Sequence, residues 1–500
     1  MNDFFLSLLL LGSLSSGGPM PFWATANRYG LMPEASGTTA VLRAGSPSLT
    51  RDWQFEWGTT AALNLDTYLP AGMSGGASSR LLVDELYAGL RWKRLSLDVG
   101  AKRPERFFYG SWMPDLGPLS VTGGRMAWSG NARSVPGYTL TLAPMPVPHT
   151  LDRVWLFGSF GDYRTLDQRY TSDALLHAMQ MGVMVRFQHV DVTAGLDHYA
   201  LWGGVHPENG RMPLSLENYF RMALGMHAAS GSRNDVINVI GDQRGSEVLR
   251  IRYNLSVGWV LYAQHDIPYD DSSGMRFQNF PDGVNTLHLT RRFNDFEWVS
   301  DILYEYHNTM WQSGTRHDRP TTDEEKQHLD PSDEYHYEHH VIGGGDNYFN
   351  NGEYRTAWTY YGRTIGNPLF FPQGTHAGTW DPLGETLGVE NNRIRAHHFA
   401  LAGHLFHRAP YRLMLTYSRN YGLYAAPYAG ESQWNHDPGT VKETPLRQLS
   451  FGMDGEIPLQ RERRWFAACP LNLVWGVYAD RGSLLPDTWG ATFGLRWRMQ

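Results

Sequence analysis

The residues best equipped for chemistry lie together between Val341 and Phe370. Directly after the glycine triplet Gly343, Gly344 and Gly345, the side chains of Asp346, Asn347, Asn350 and Asn351 place four carboxylate or carboxamide groups within six residues. The glycines free the backbone for a sharp turn, so the sequence predicts a polar nest. Behind it, Tyr354, Thr356, Trp358, Thr359, Tyr360 and Tyr361 have the aromatic and β-branched character of a strand, punctuated by Gly362, Gly366, Asn367 and Pro368. Arg363 adds a planar fork of donors. Amides and guanidinium bond hydroxyl groups while rings pack on C–H faces, which is the chemistry that grips a sugar. Ordinary β-proteins use the same mixture.

Other constellations carry less. Calcium fails on spacing: with Gly352 as the turn glycine of an EF-hand frame, Phe349 falls on a ligand position and Trp358 where the bidentate Glu belongs. In Gly195 to Gly204, Asp197 stands beside His198 with Trp202 following, either an acid/base pair or a hydrogen bond at a strand end. No nucleophile is adjacent, which favours the plainer reading. His336, His339 and His340, with His328 upstream, are zinc-ligand types, but adjacency along a strand does not converge them and H-E-x-x-H is absent. That stretch, Asp318 to Glu338, reads as a solvated loop. Asp270, Asp271, Ser272 and Asp282 are turn formers. No metal, cofactor or catalytic set is expected.

These residues need a scaffold, and composition narrows it. A chain of 500 residues is long enough for about three domains at ~150 residues each, yet no linker, charge run or repeat divides it, so residues 19–500 read as one domain. Hydrophobic residues are 42% and charged residues only 19%, with 18 Trp, 26 Tyr and 22 Phe. No apolar run approaches the roughly 18 residues of a spanning helix. A transmembrane barrel, in which only alternate residues face lipid between aromatic girdles, fits both facts; a large soluble β-protein is the plainer alternative. The net charge of −7 and the lack of a basic stripe argue against a nucleic-acid partner. Lysine occurs only at Lys93, Lys102, Lys326 and Lys442, so arginine supplies most cations. The single Cys469 permits no internal disulfide.

Alternation supplies the wall. Phe4 to Leu14 has the length of a secretory leader, without a preceding Lys or Arg or a clean cleavage site; it reads as a leader or as a first strand. Leu86, Ala88, Leu90 and Trp92, then Leu95, Leu97, Val99 and Ala101, share one face if Lys93 and Arg94 form a two-residue turn. Leu249 to Ala263 is apolar at every odd position and reads as one long strand, with Arg250 and Arg252 opposite. Leu449 to Ile457, Leu471 to Ala479, and Phe399 to Leu405 paired with Tyr411 to Tyr417 follow the same rule. From Trp489 to Met499 the chain ends in a strand suited to closing a barrel, with Arg496 and Arg498 on the lumen side. One helix is predicted over 215–226, capped by Ser215, as a plug or periplasmic element.

A family resemblance runs through these segments. Pro21 to Leu31 (PFWATANRYGL), Gly123 to Arg133 (GGRMAWSGNAR), GLDHYALWGG, Ser272 to Gly283, Tyr304 to Gly314, GGGDNYFNNGEY with YYGRTIGNPL, and Asn391 to His398 resemble the Wzi-like capsule-assembly family in its Bacteroidetes-type branch. The resemblance covers nearly the whole chain. It implies an all-β outer-membrane barrel of about 18 antiparallel strands, non-enzymatic, that binds capsular or exopolysaccharide and aids its assembly or retention at the cell surface. It also implies contact with outer-membrane lipid and with the barrel-insertion machinery, and it adds Asn131, Arg133, Asp197, His198 and Trp202 to the candidate sugar contacts. A porin or substrate-specific channel is the alternative.

Overall fold

The computed structural model describes residues 4–16, 18–46, 52–66, 79–103, 121–227, 239–255, 258–270, 277–291, 297–315, 317–327, 329, 331–332, 334–376, 380–384, 386–430, 443–459 and 471–499. Eighteen antiparallel strands form its wall. They are β1 (Phe5–Ser15), β2 (Gly37–Gly45), β3 (Trp53–Asp66), β4 (Ser79–Trp92), β5 (Leu95–Ala101) and β6 (Pro136–Pro146). Then come β7 (Val154–Arg164), β8 (Leu175–Arg186), β9 (Val190–Trp202), β10 (Asp242–Asn254), β11 (Trp259–Tyr269) and β12 (Gly283–Arg291). The last six are β13 (Asp301–Asn308), β14 (Ile394–Leu405), β15 (Ala409–Asn420), β16 (Leu446–Pro458), β17 (Leu471–Gly482) and β18 (Thr488–Met499). Each pairs with its sequence neighbour, and β18 pairs with β1 from Leu6↔Met499 to Ser15↔Gly490, so the sheet closes without an edge. The segment for which leader and first strand were both open is thus hydrogen-bonded on both sides as β1.

Alternation decides which residues meet lipid. Leu10, Leu42, Phe55, Leu63, Leu81, Leu90, Leu140, Met181, Leu249, Leu287, Phe399, Leu415, Val477 and Phe493 all point outward and are exposed. In water so continuous an apolar band would aggregate; around a closed barrel it is the lipid-facing belt. The Lys93-Arg94 turn is as predicted, with Trp92 opposite Leu95, and Lys93 takes the positive φ of 51° that such tight turns need. The run from Leu249 to Ala263, by contrast, is two strands. It bends between Asn254 and Trp259, and pairs such as Ile251↔Ala263 and Tyr253↔Leu261 keep odd residues on the outer face of both arms. The alternation therefore passes through a turn without a break in phase, which is why it reads as one strand.

The two ends of the barrel differ. At one end the connections are short, among them 93–94, 187–189 and 406–408; at the other lie the long segments 16–36, 102–135, 203–241 and 309–393. In barrels of this kind short turns face the periplasm and long loops the exterior. Several long segments fold back into the lumen. Residues 121–135 and 345–372 bring Trp128, Tyr348, Phe349, Trp358 and Phe370 into one buried cluster with Tyr199 and Leu201 of the β9 inner face. Helix α1 (Phe22–Thr25) inserts Trp23, whose Nε1–H donates to Thr416 Oγ1 (3.1 Å). The polar inner wall holds these segments: Glu305 accepts from Gly123 N–H (2.7 Å) and the Thr122 hydroxyl (2.8 Å), and Asp454 pairs with Arg28.

Three further helices occur among the described residues. Helix α2 (Leu216–Ala223) is the predicted one, with the Ser215 hydroxyl accepting from Asn218 N–H (3.1 Å). It belongs to the long-loop end and does not enter the lumen, in contrast to the plug or periplasmic placement expected. The 318–338 stretch is also more ordered than a bare loop: α3 (Asp323–Lys326) and α4 (Glu334–Glu338) lie between the paired strands His317–Pro320 and His339–Gly343.

Candidate functional site

The predicted polar nest is a scaffold rather than a sugar-facing surface. The Asn350 carboxamide donates to Val389 O (2.9 Å) and accepts from Val389 N–H (3.0 Å), replacing a strand partner. Asn347 Oδ1 accepts from Asn350 Nδ2 (3.1 Å) and Asn392 Nδ2 (2.6 Å). Asn351 Oδ1 accepts from the N–H groups of Glu353 (2.8 Å) and Tyr354 (3.2 Å), an Asx turn. Asp346 is buried, its own N–H donating to Gln312 O (2.9 Å). The aromatic run that follows is not a wall strand. Only Thr359–Tyr360 pairs, with Arg363–Thr364, while Tyr354, Trp358 and Tyr360 are buried in the lumen core and Trp358 Nε1–H donates to Ala127 O (2.5 Å). Positive φ at Ala357 (65°) and Tyr361 (50°) breaks the extended geometry.

Asp197, His198 and Trp202 do not share a site, because neighbours on a strand point to opposite faces. Asp197 enters the lumen and pairs with Arg125 of the plug, both almost fully buried. His198 and Trp202 face outward, beneath α2: His198 Nε2 meets the Gln243 carboxamide and Trp202 packs on Tyr219 (5.5 Å between ring centroids). An Asp–His dyad is therefore absent.

The remaining candidates gather at the mouth on the long-loop side. Arg363 and Asn131 line a cavity of about 380 Å³ whose other walls include Phe22, Glu34, Phe371, Gln373, Thr375, Trp380 and Asp480. Arg363 Nη2 donates to Glu34 (2.8 Å) and Nη1 to Thr25 O (3.5 Å), which fixes the guanidinium plane. Asn131 is held by Thr364, through its O (3.2 Å) and Oγ1 (3.0 Å). Beside them the Arg133 guanidinium lies over the half-exposed Tyr361 ring, 3.8 Å from its centroid, and Tyr361 N–H is bound by Asp167 (3.0 Å). Tyr360 backs this pair from the buried side, edge to face with Tyr361 at 4.6 Å. So Arg363, Asn131, Arg133, Tyr360 and Tyr361 come together, whereas the four residues of the nest and the three of the β9 set stand elsewhere. Glu34, Phe22 and Trp380 were missed. The first two sit in the PFWATANRYGL block and just beyond it, and Trp380 is an isolated aromatic in a Gly/Thr-rich stretch.

Flat apolar rings next to carboxylate, amide and guanidinium groups, open to one side, suit a polyhydroxylated ligand. Among the described residues no group of three or more His, Cys, Asp or Glu side chains is placed to hold a metal ion.

No protein-family model matches the sequence, and no curated protein matches it. Among solved structures the chain is similar to Wzi of Escherichia coli, described as an outer-membrane protein involved in group 1 capsule assembly and a carbohydrate-binding β-barrel. Identity is 13%, the alignment covers 99% of this chain and 84% of Wzi, and the TM-score is 0.55. Weaker likenesses include Pseudomonas aeruginosa OccK5 (OpdH), at 9% identity, coverage of 100% and 98% and TM-score 0.44, and OccK9 (OpdG), at 12%, 99% and 98%, and 0.45. The Wzi match agrees with the closed wall and lipid-facing belt in making this an outer-membrane β-barrel of the bacterial cell surface.

Proposed function

We propose that this barrel is a non-enzymatic, non-conducting member of the Wzi-like group that binds capsular or exopolysaccharide at its outer mouth and helps retain it on the cell. The observation that carries the reading is the mouth cavity. It sets Phe22, Phe371 and Trp380 against Glu34, Asn131, Gln373 and Arg363 above a lumen filled by the chain's own loops. The carbohydrate binding described for Wzi supports it. A neutral hydrogen bond contributes only about 0.5–1.5 kcal/mol net, so one repeat binds weakly. Retention then comes from many repeats engaging many barrels.

The test is a glycan array on purified protein, run beside polysaccharide retention in cells. Trp380→Ala removes a stacking face and Arg363→Lys keeps the charge but loses the planar fork. Each is expected to weaken array binding by about tenfold, on the order of 1.4 kcal/mol, and to release polysaccharide into the medium while heat-modifiable barrel stays normal. Unchanged binding and retention in both variants would overturn the proposal.

A further inference from the structure

Helix α2 is the described helix that packs on the outside of the wall. Its inner side, Asn218, Tyr219, Met222 and Ala223, covers Leu175, Ala200 and Trp202 near the long-loop ends of β8 and β9. It also satisfies polar groups that would otherwise meet lipid. The Tyr219 hydroxyl donates to Asp162 (2.9 Å), which accepts from His177 as well (2.9 Å), and Gln243 Nε2 donates to Met222 O (3.0 Å). All the wall residues involved share the outward parity of Leu140, Met181 and Leu249, the exposed belt residues on the same strands and on β6.

The side of α2 turned away from the wall is split. Leu216, Phe220 and Leu224 form one stripe, exposed at 73%, 58% and 71%, while Glu217 and Arg221 form the next, joined by a 3.0 Å ion pair. At about 100° per residue, the wall-facing residues span about 140° of the circumference, the apolar stripe about 80° and the charged pair about 40°. Leu214 and Met226, just beyond either end, are exposed as well. Three sectors match the three surroundings that meet at the rim of a spanning barrel: protein wall, acyl chains and polar headgroups.

We propose that α2 is an in-plane membrane anchor whose Leu216, Phe220 and Leu224 insert among the acyl chains of the leaflet at the long-loop end. The surface is continuous with the lipid-facing belt just below it, which identifies lipid as the occupant. Anchoring holds residues 216–224 against the outer side of the wall, apart from the residues that line the mouth cavity.

The test uses the full-length chain in phosphatidylcholine vesicles, with Cys469→Ser and single nitroxide labels at Leu216→Cys, Phe220→Cys, Glu217→Cys and the belt control Met181→Cys. The ratio of oxygen to nickel-chelate collision rates reports depth. It is expected to be at least about threefold higher at 216 and 220 than at 217, and to approach that at 181, as for an amphipathic helix lying in the interface. Two labels on the stripe guard against one variant failing to fold, which heat-modifiability detects. Equal ratios at 216, 217 and 220 would overturn the proposal, and so would protection that vanishes as the protein is diluted in lipid, which would assign the stripe to a second copy of the chain.

Discussion

Replacing Asp197 with Asn should unlatch the plug. Arg125 and Asp197 join the inward 121–135 segment to the wall strand β9, each with side-chain exposure of 2%. Removing one partner of a buried pair leaves an uncompensated charge, at a cost of about 3–5 kcal/mol. Asp266, also inward-facing and buried, lies on β11 nearby and still attracts Arg125, so the lower end, about 3 kcal/mol, applies. At 1.4 kcal/mol per tenfold that shifts the packed-to-loosened equilibrium of the segment by roughly a hundredfold. In planar bilayers the native barrel should pass almost no current, and Asp197→Asn should raise the fraction of time spent conducting by about that factor. Arg125→Met with Asp197→Leu, made together with Asp266→Asn so that no buried charge is left behind, should restore a quiet baseline, because apolar replacement of a whole buried pair is close to neutral. The reasoning fails if the single variant stays silent, if the pair variant leaks as much as the single one, or if the native protein already conducts steadily, as a porin would.

Three further outcomes are expected. Leu249→Arg, in the lipid-facing belt, should cost about 2–4 kcal/mol in urea unfolding from vesicles, whereas Leu255→Arg, beyond the end of β10 at the short-turn rim, should cost about 0–1 kcal/mol; equal costs would contradict the assigned depth. Asn350→Ala should leave the buried Val389 N–H and C=O without partners, at about 1–3 kcal/mol each. Loop protease resistance should fall while glycan binding by the folded fraction is retained, the reverse of Arg363→Lys. Glu325, forked by Arg319 (2.7 and 2.9 Å) and bonded by the Thr322 cap, has its carboxyl held down to about 2 from 4.5. A depressed folded value means the bond's contribution is complete above about pH 4.5 and disappears as pH falls toward 2. Hydrogen exchange over residues 317–343, corrected for intrinsic rate, should therefore quicken between pH 5 and pH 2, and Glu325→Gln should abolish that dependence.

The wall was legible because lipid on one side and a polar interior on the other impose period two on every strand. Trp92 and Leu95 declare their hairpin, and Trp489 to Met499 declares the closing strand. The same rule misleads at Asn254 to Trp259, where the turn keeps the phase and hides itself. It is silent on the plug. Trp358, Phe349 and Tyr354 are surrounded on all sides, so no periodic face marks them, and Asn350 and Asn351 have the composition of a binding surface while serving as substitutes for backbone partners. Parity explains a further miss. His198 and Trp202 look functional as polar and aromatic residues at a strand end, but even positions of β9 point outward, where only the arrival of α2 accounts for them.

The route by which 309–393 enters the mouth also sets how the barrel bears a load. Both ends of that segment leave from the same rim, through β13 and β14, which are hydrogen-bonded to each other from Asp301↔Ala402 to Asn308↔Arg395. A pull on a polymer held near Arg363 would draw those two strands outward together, leaving no sliding between them. The force would pass instead into their ladders with β12 and β15, whose bonds run across the direction of pull and must yield as a group. If the barrel holds polysaccharide as proposed, tension from a sheared surface coat would thus reach the wall in its mechanically strong direction.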